Sequence, residues 1–287
     1  MTDDHILKRG CLVYFTSSIW GITKKVGGDV LKPGIDPEYI DNSKKKINRT
    51  YLEPISKVRN MARTFIYKKS LPFKIPGIIF IPRDMINTVD QQMQAFQREF
   101  EAEVANFENN YHRYIEEARE KLGNLFNPLD YPRDIRNYFS FRWDFINFSA
   151  PDHTQIISSE ILQREQQKYQ QTIEEFRETA ITTLRTTFVE MVNHIVERLS
   201  GERKIFKDSL IGNIREFIND FSALNITDDR ELASAVEKCN LILDGVNVDV
   251  IRNNDRFRHD IANKMSEVKS QLNTMMISRP MRKIRVA

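Results

Sequence analysis

Histidine and carboxylate residues four positions apart are the first candidates for chemistry in this chain. Glu190 precedes His194, and Asp255 precedes His259, so each pair can meet on one face of a helix. Di-iron bundles repeat such pairs on facing helices, and zinc sites need closely spaced cysteines and histidines. Neither arrangement is present, because the remaining histidines are scattered. We therefore expect surface hydrogen bonds here, with no metal and no cofactor.

Nucleophilic and nucleotide chemistry are equally weakly indicated. Cys11 lies in an apolar run and Cys239 on a helical stripe, and neither has a histidine close to it in sequence. Gly27-Gly28 stands alone, without the residues that complete a phosphate-binding loop. We expect no catalytic residue and a protein that is not an enzyme, and we keep an unknown enzyme as a third alternative.

Basic residues near the start of the chain are the one feature that suggests a ligand. Residues 1–83 contain 16 Lys and Arg against 7 Asp and Glu, whereas residues 84–123 contain 4 against 9. Lysines beside tyrosines could bind phosphates and stack on bases, although solubilising loop lysines give the same pattern. The basic region could instead bind the acidic region, in the same chain or in another subunit. The candidate anion or nucleic-acid contacts are Lys24, Lys25, Lys44, Lys45, Lys46, Arg49, Lys68, Lys69, Arg282, Lys283 and Arg285.

The stretch from Arg83 to Leu122 is the element around which we expect the rest of the chain to pack. Its apolar residues recur every three or four positions, which predicts one amphipathic helix roughly 60 Å long. A helix of that length needs partner helices to cover its apolar stripe. The aromatic members of the stripe form a candidate interaction seam, made of Phe96, Phe100, Phe107, Tyr111 and Tyr114.

Three strands are predicted in the first half of the chain. They are residues 10–20, residues 73–82 with a start delayed to Gly77 by Pro76, and residues 138–148, where aromatic and polar residues alternate. We expect them to form a small antiparallel sheet with a helix over residues 50–70 packed against it. Thr50 and Glu53 resemble a capping box for that helix.

Helical periodicity dominates after Pro151. Four further helices are predicted, over residues 161–199, 204–224, 227–243 and 249–272. The predicted fold class is α+β and mainly α, with an elongated bundle of long antiparallel helices and a small antiparallel sheet of three strands. The predicted divisions are residues 1–151 with the sheet, basic region and long helix, residues 152–277 as a helical bundle, and residues 278–287 as a mobile basic tail.

Composition indicates the compartment. Two cysteines provide no disulfide framework, no run approaches 18 apolar residues, and the first residues lack the pattern of a secretion signal. We expect a cytoplasmic protein, in a bacterium or in a phage-infected host cell, with no membrane span.

Several short motifs in the first half of the chain, about residues 11–151, occur together in one order. They are Ser18-Ile19-Trp20-Gly21, Lys24-Lys25, Ser43-Lys44-Lys45, the run from Gly77 to Pro82, Tyr111, and Phe139-Ser140-Phe141 through Ala150-Pro151. With these motifs the first half resembles an uncharacterised family of bacterial and phage proteins, a domain of unknown function. Members are often encoded beside AAA+ ATPases of the MoxR or cobalt-chelatase type, so the resemblance implies an adaptor or assembly partner without catalytic residues.

Two functions are therefore expected. The first is a non-catalytic helical scaffold or adaptor that self-associates or docks a partner such as an AAA+ ATPase. The second is a protein that binds nucleic acid without sequence specificity through its basic N-terminal region. Charge reversal at Lys44, Lys45 and Lys46 is expected to separate them, because assembly through apolar seams would survive it and phosphate binding would not.

Overall fold

A computed structural model describes residues 6–26, 43–151, 158–200 and 207–277. The chain divides into two compact units that alternate along the sequence. Unit 1 takes the described residues of Met1–Val13, Lys69–Ile86 and Phe145–Ala287, and unit 2 takes those of Tyr14–Lys68 and Asn87–Asp144. The division predicted at residue 151 rests on composition rather than on spatial contacts, and it stays a prediction. The predicted basic tail, with Arg282, Lys283 and Arg285, lies outside the described residues.

The described chain is mainly helical, as the sequence predicts, with small sheets. Its seven described α-helices are α1 (Glu53–Lys68), α2 (Ile86–Leu122), α3 (Ser159–Leu199), α4 (Asp208–Leu224), α5 (Arg230–Leu243), α6 (Val248–Asn253) and α7 (Asp255–Ile277). The strands are β1 (Gly10–Ser18), β2 (Thr23–Lys25), β3 (Ser43–Lys45), β4 (Leu71–Pro72), β5 (Ile78–Pro82) and β6 (Ser140–Ile146). The predicted elongated arrangement of the helices stays a prediction.

The predicted three-stranded sheet is wrong in its number of strands. One sheet has four strands in the order β4-β5-β1-β6, and β2 and β3 form a separate two-stranded sheet. The additional strand is β4, which lies just before the predicted strand over residues 73–82 and, with two residues, is too short to leave a periodic signal. Leu71 pairs with Phe80 and Pro72 with Ile79 in an antiparallel hairpin, and Gly77 supplies the positive φ of 81° that its turn needs.

Close packing between strands explains another glycine of unit 1. A Cβ atom on Gly10 would lie 2.2 Å from the carbonyl oxygen of Ile81 and 2.6 Å from the ring of Phe80. Both distances are far below van der Waals contact, so a side chain at this position would separate β1 from β5. Phe80 in turn packs on Phe176 of α3, with ring centroids 5.0 Å apart.

The long helix of unit 2 is confirmed. A short 3-10 turn from Arg83 to Met85 leads into α2, which continues without interruption for 37 residues to Leu122. The predicted apolar stripe forms the buried face of α2.

Strand β6 differs from its prediction, because only Phe141 of its aromatic residues is buried, while Phe145 is 52% exposed.

Several helix ends differ from the predicted ones because side chains cap them. The side chain of Asn48, rather than Thr50, accepts the first hydrogen bond before α1, and Asp229 caps α5 by accepting from the backbone N–H of Leu232. The helix predicted over residues 249–272 is two helices, because Asn254 ends α6 and its side chain accepts from the N–H of Phe257 in α7.

Unit 1 builds its core from long helices. Helix α3 packs against α4 and α7, and α5 packs against α4 and α7. Phe176, Phe188 and Ile173 of α3 are almost completely buried. Among the described helices, none combines the length and the apolar character that crossing a bilayer requires.

Candidate functional site

The β2–β3 hairpin of unit 2 carries several of the lysines that the sequence analysis predicts to contact anions. Its antiparallel register places Thr23 opposite Lys45, Lys24 opposite Lys44 and Lys25 opposite Ser43. Because side chains alternate across a strand, Lys24 and Lys44 share one face of the hairpin, and Lys45 lies on the other with Thr23.

The shared face of Lys24 and Lys44 is turned toward a buried carboxylate. The Asp130 side chain has no exposed area; one of its oxygens accepts a hydrogen bond from Lys24, and the other lies 2.7 Å from the Nζ atom of Lys44. Lys44 also donates to the backbone carbonyl of Leu125. These contacts fasten the hairpin to the segment that follows α2.

A short 3-10 turn, Pro128–Asp130, positions the carboxylate. The side chain of Asn127 caps it by accepting from the N–H of Leu129 at 2.9 Å, and Pro128 follows with a φ that suits the first position of such a turn. The turn directs Asp130 inward and Leu129 outward, where the leucine side chain is 90% exposed.

Opposing effects set the pKa of Asp130. Burial alone would raise it, but hydrogen bonds from Lys24 and Lys44, together with their charges, outweigh burial, so the pKa lies below its ordinary value. The carboxylate is therefore ionised at neutral pH.

Aromatic side chains complete the arrangement. The Nζ atom of Lys46 lies 4.3 Å from the ring centroid of Trp20, and the hydroxyl of Tyr131 donates to the carbonyl of Lys46 at 2.6 Å. Burial lowers the pKa of Lys46 and raises the pKa of Tyr131 to about 12. We call this group the Asp130 cluster; its members are Asp130, Lys24, Lys44, Lys46, Trp20 and Tyr131.

A buried tyrosine of α2 packs on the cluster. The ring of Tyr111 meets Trp20 edge to face, with centroids 5.7 Å apart. Its hydroxyl has no hydrogen-bond partner within the described residues, and burial raises its pKa. We assign no ligand to this hydroxyl, because the described contacts around it are those of a packed core.

The remaining described candidate anion contacts are divided between the two units. Lys69 belongs to unit 1, where its Nζ atom binds Asp220 and lies 3.2 Å from Glu216. Burial lowers the pKa of Lys69, but those two carboxylates raise it by more. The other described candidates have exposed side chains; they are Lys25, Lys45, Arg49 and Lys68.

The candidate interaction seam lies in the core of unit 2. All five of its aromatic residues are buried. Within the unit, Phe96 contacts Phe65, Phe107 contacts Phe139, and Tyr114 stacks on Tyr51 with centroids 3.9 Å apart. Phe100 contacts Phe141, and Tyr111 contacts Trp20. The apolar area of the seam is thus covered by other side chains of the same chain.

The groups first considered for catalysis are held in structural contacts. His259 pairs with the backbone carbonyl of Asp255 at 2.6 Å, and His194 contacts Arg198. Burial raises the pKa of Cys11 to about 11 and that of Cys239 to about 12, so both thiols stay protonated at neutral pH. Within the described ranges, no group of three or more metal-ligating side chains is present.

Unit 1 contains a cleft of about 820 Å³. Its charged groups hold its walls together. Arg252 binds Asp208 and Asp249 on its rim, and Arg215 donates to the carbonyls of Leu243 and Val246. These contacts brace α4 against the segment after α5 and identify no ligand.

Sequence reasoning missed Asp130, and it missed Arg215 and Arg252, whose contacts hold parts of unit 1 together. These residues lie in or next to connecting segments, or form long-range contacts, and neither property leaves a periodic signal. Pro128 and Pro132 are the local signal of the connecting segment that carries Asp130, because prolines are typical of turns.

The fold and the Asp130 cluster together define a mainly helical α+β protein with a basic hairpin held by a buried carboxylate. The chain belongs to the family described as "Protein of unknown function (DUF3150)", whose model matches residues 7–250. No curated protein and no solved structure matches the chain. The expectation of an uncharacterised family is thus confirmed.

Proposed function

We propose that this chain is a non-catalytic scaffold or adaptor that works by self-association or by docking a protein partner. The observation that carries the proposal is the buried anchor beneath the β2–β3 hairpin. A two-stranded sheet with three residues in each strand is marginal by itself. Asp130 loses hydration to hold it, and a buried ion pair of this kind favours one geometry more than it adds stability. That geometry fixes the orientation of the outer face of the hairpin, which is the face that carries Lys45 and Thr23 and lies opposite to Lys24 and Lys44.

The outer face suits a protein partner. It presents Lys45 and Thr23 on the hairpin, and the neighbouring turn presents Leu129, the most exposed large apolar side chain among the described residues. A single exposed leucine is common on protein surfaces. The cationic outer face by itself suits an acidic partner. Leu129 lies on the turn at the opposite side of the hairpin, so it is a second and separate exposed position.

The candidate partner is an AAA+ ATPase. This suggestion, and a cytoplasmic setting in a bacterium or a phage-infected cell, come from the family resemblance and the composition. An ATPase encoded beside the gene for this chain is therefore the protein to test. Binding of the two purified proteins should be measured by sedimentation velocity at several salt concentrations.

One variant tests the outer face of the hairpin, a second tests the exposed turn residue Leu129, and a third controls for the change of charge. Lys45→Glu and Leu129→Ser should each weaken binding roughly tenfold, because interface anchors contribute about 1–2 kcal/mol or more. Lys57→Glu makes the same charge change on an exposed lysine of α1 in the same unit and should leave binding unchanged. Equal binding by all three variants would remove the hairpin face from the proposal, and no binding by the native chain would remove this partner.

Unspecific nucleic-acid binding is the second candidate. Exposed Lys45 and Arg49 favour it, whereas Lys24, Lys44 and Lys69 are already paired with carboxylates. Reversal of Lys44 would disturb the hairpin anchor, so Lys45→Glu is the cleaner test. Anisotropy of a labelled single-stranded oligonucleotide should rise with protein and fall steeply with salt if this candidate is correct. A flat titration at low salt would exclude it.

A further inference from the structure

The outward face of α1 in unit 2 is basic. The buried residues of this helix recur every three or four positions and form one side of it; they are Ile55, Val58, Ala62 and Ile66. The helix contains four Lys and Arg against one Glu, which gives it a net charge of +3. The exposed side carries cations together with two large side chains, and these residues are Lys57, Met61, Arg63, Tyr67 and Lys68.

Lys57 and Arg63 have no carboxylate partner among the described residues. Glu53, the acidic residue of α1, lies in the first turn, where a negative charge stabilises the start of a helix. The hairpin lysines Lys24 and Lys44 differ, because a buried carboxylate already binds them. An anionic ligand at α1 therefore meets cations whose charges it does not share with the protein.

Tyr67 adds an exposed aromatic ring to these cations. It is 45% exposed, and the guanidinium carbon of Arg63 lies 5.5 Å from the centroid of its ring. Met61 is 43% exposed on the same helix. Proteins that bind single-stranded nucleic acid combine cations for the phosphates with aromatic rings on which bases stack, and arginine contributes to both.

We propose that the outward face of α1 binds single-stranded nucleic acid without sequence specificity. Lys57 and Arg63 contact backbone phosphates, and a base stacks on Tyr67. The helix rises roughly 15 Å from Lys57 to Tyr67, which is enough for several phosphates. An acidic protein would satisfy the cations equally well, but the exposed ring favours nucleic acid, since every base has a face that stacks.

This inference rests on the second candidate function and names the surface that performs it. It is separate from the hairpin face proposed for a protein partner, and one variant tests that separation. Lys57→Glu should leave the ATPase bound, as stated above, and should weaken the binding of nucleic acid. An adaptor with both faces joins a protein partner to nucleic acid.

Anisotropy of a labelled oligothymidine of about 15 nucleotides, titrated with the full chain at several salt concentrations, is the measurement. Lys57→Ala and Arg63→Ala should each weaken binding and reduce the slope of log affinity against log salt by about 0.7, because each removes one phosphate contact. Tyr67→Ala should weaken binding roughly tenfold and leave the slope unchanged, since stacking releases no counterions. Tyr67→Phe keeps the ring and should bind like the native chain.

The same unit offers matched controls outside α1. Tyr138 is 49% exposed, close to the value for Tyr67, and Tyr138→Ala should leave binding unchanged. Lys121→Ala and Arg133→Ala each remove an exposed cation and should leave both the affinity and the salt slope near their native values. Circular dichroism of every variant separates a lost contact from a lost fold.

The outcomes distinguish the surface from the function. Weaker binding by Lys57→Ala and Arg63→Ala with native binding by Tyr67→Ala would show that any polyanion suffices, an acidic protein included, and would overturn the assignment to nucleic acid. Native binding by all the α1 variants with a loss in Lys45→Glu would place the oligonucleotide on the hairpin, so that the candidate function stands and this surface is wrong. A native chain that binds no oligonucleotide at low salt would exclude both.

Discussion

Each unit contains a buried ionic cluster, and the charges at the centres of the two clusters have opposite signs. In unit 1 a cation is at the centre: Arg185, with its side chain 5% exposed, binds Asp229 through two hydrogen bonds of 2.6 and 2.9 Å and binds Glu231 at 2.8 Å. In unit 2 an anion is at the centre, with Lys24 and Lys44 around Asp130. The surroundings differ more than the charges do.

The difference shows what each cluster stabilises. Arg185 joins helices that already pack through apolar side chains, such as Phe188 and Phe217, whose rings stack 5.4 Å apart. Asp130 holds a hairpin whose six strand residues include none that is buried. The unit 1 cluster therefore adds to a packed core, and the unit 2 cluster takes the place of one. Loss of the first should affect a whole unit, and loss of the second mainly the hairpin.

The largest effect is expected from Arg185→Met. Methionine fills similar volume but removes the two hydrogen bonds that Arg185 donates to the buried Asp229 carboxylate, which should lower the free energy of unfolding by about 3–5 kcal/mol. Urea unfolding followed by far-ultraviolet circular dichroism measures this loss. Arg164→Ala removes an exposed arginine from the same helix and should change stability by less than about 0.5 kcal/mol.

A double variant identifies the cause. Asp229→Asn retains a side chain that can cap α5, and it removes the charge. Combined with Arg185→Met, it should recover part of the lost stability, because no charge is then left buried alone. A double variant at least as unstable as the sum of both single losses would contradict this explanation.

Sequence reasoning succeeded where the signal is local. The three-to-four residue period predicted α2 and α3 within a few residues, because an apolar stripe is repeated at every turn. Residues 23–25 and 43–45 have no apolar alternation, so their pairing as strands was not predicted. Their anchor, Asp130, is 106 positions from Lys24. The pairing of Asp229 with Arg185 likewise depends on contacts between distant segments.

An intermediate effect is expected from Asp130→Asn. The amide keeps the shape of the side chain but not its charge, and Lys24, which is half exposed, can then turn to solvent. We expect a loss of about 1–3 kcal/mol in the stability of unit 2. Both tryptophans, Trp20 and Trp143, belong to that unit, so urea unfolding followed by tryptophan fluorescence reports on it. Amide exchange in β2 and β3 should quicken most.

Lowering the pH should reproduce the loss of stability expected for Asp130→Asn. The pKa of Asp130 is lower in the folded chain than the ordinary value near about 4. Its contribution is therefore fully present above that ordinary value and is lost as pH falls through the folded value. As the pH falls through the folded pKa of Asp130, the native chain should lose stability and Asp130→Asn should not. Asp134 is an exposed carboxylate of the same unit, and Asp134→Asn should follow the profile of the native chain. Parallel pH profiles for all three proteins would show that Asp130 is not the anchor.

The smallest effect is expected from Arg9→Ala, and it is the sharpest test of whether burial sets the cost. Arg9 binds Asp228 at 2.8 Å in unit 1, directly beside the buried Asp229, but these two side chains are 46% and 69% exposed. Water can replace the lost partner, so the expected loss is less than about 1 kcal/mol and should shrink further in salt. Asp228 and Asp229 thus place an exposed and a buried arginine pair at adjacent positions. Equal losses for Arg9→Ala and Arg185→Met in the same urea experiment would mean that pairing alone sets the cost, and the contrast between the two clusters would lose its physical basis.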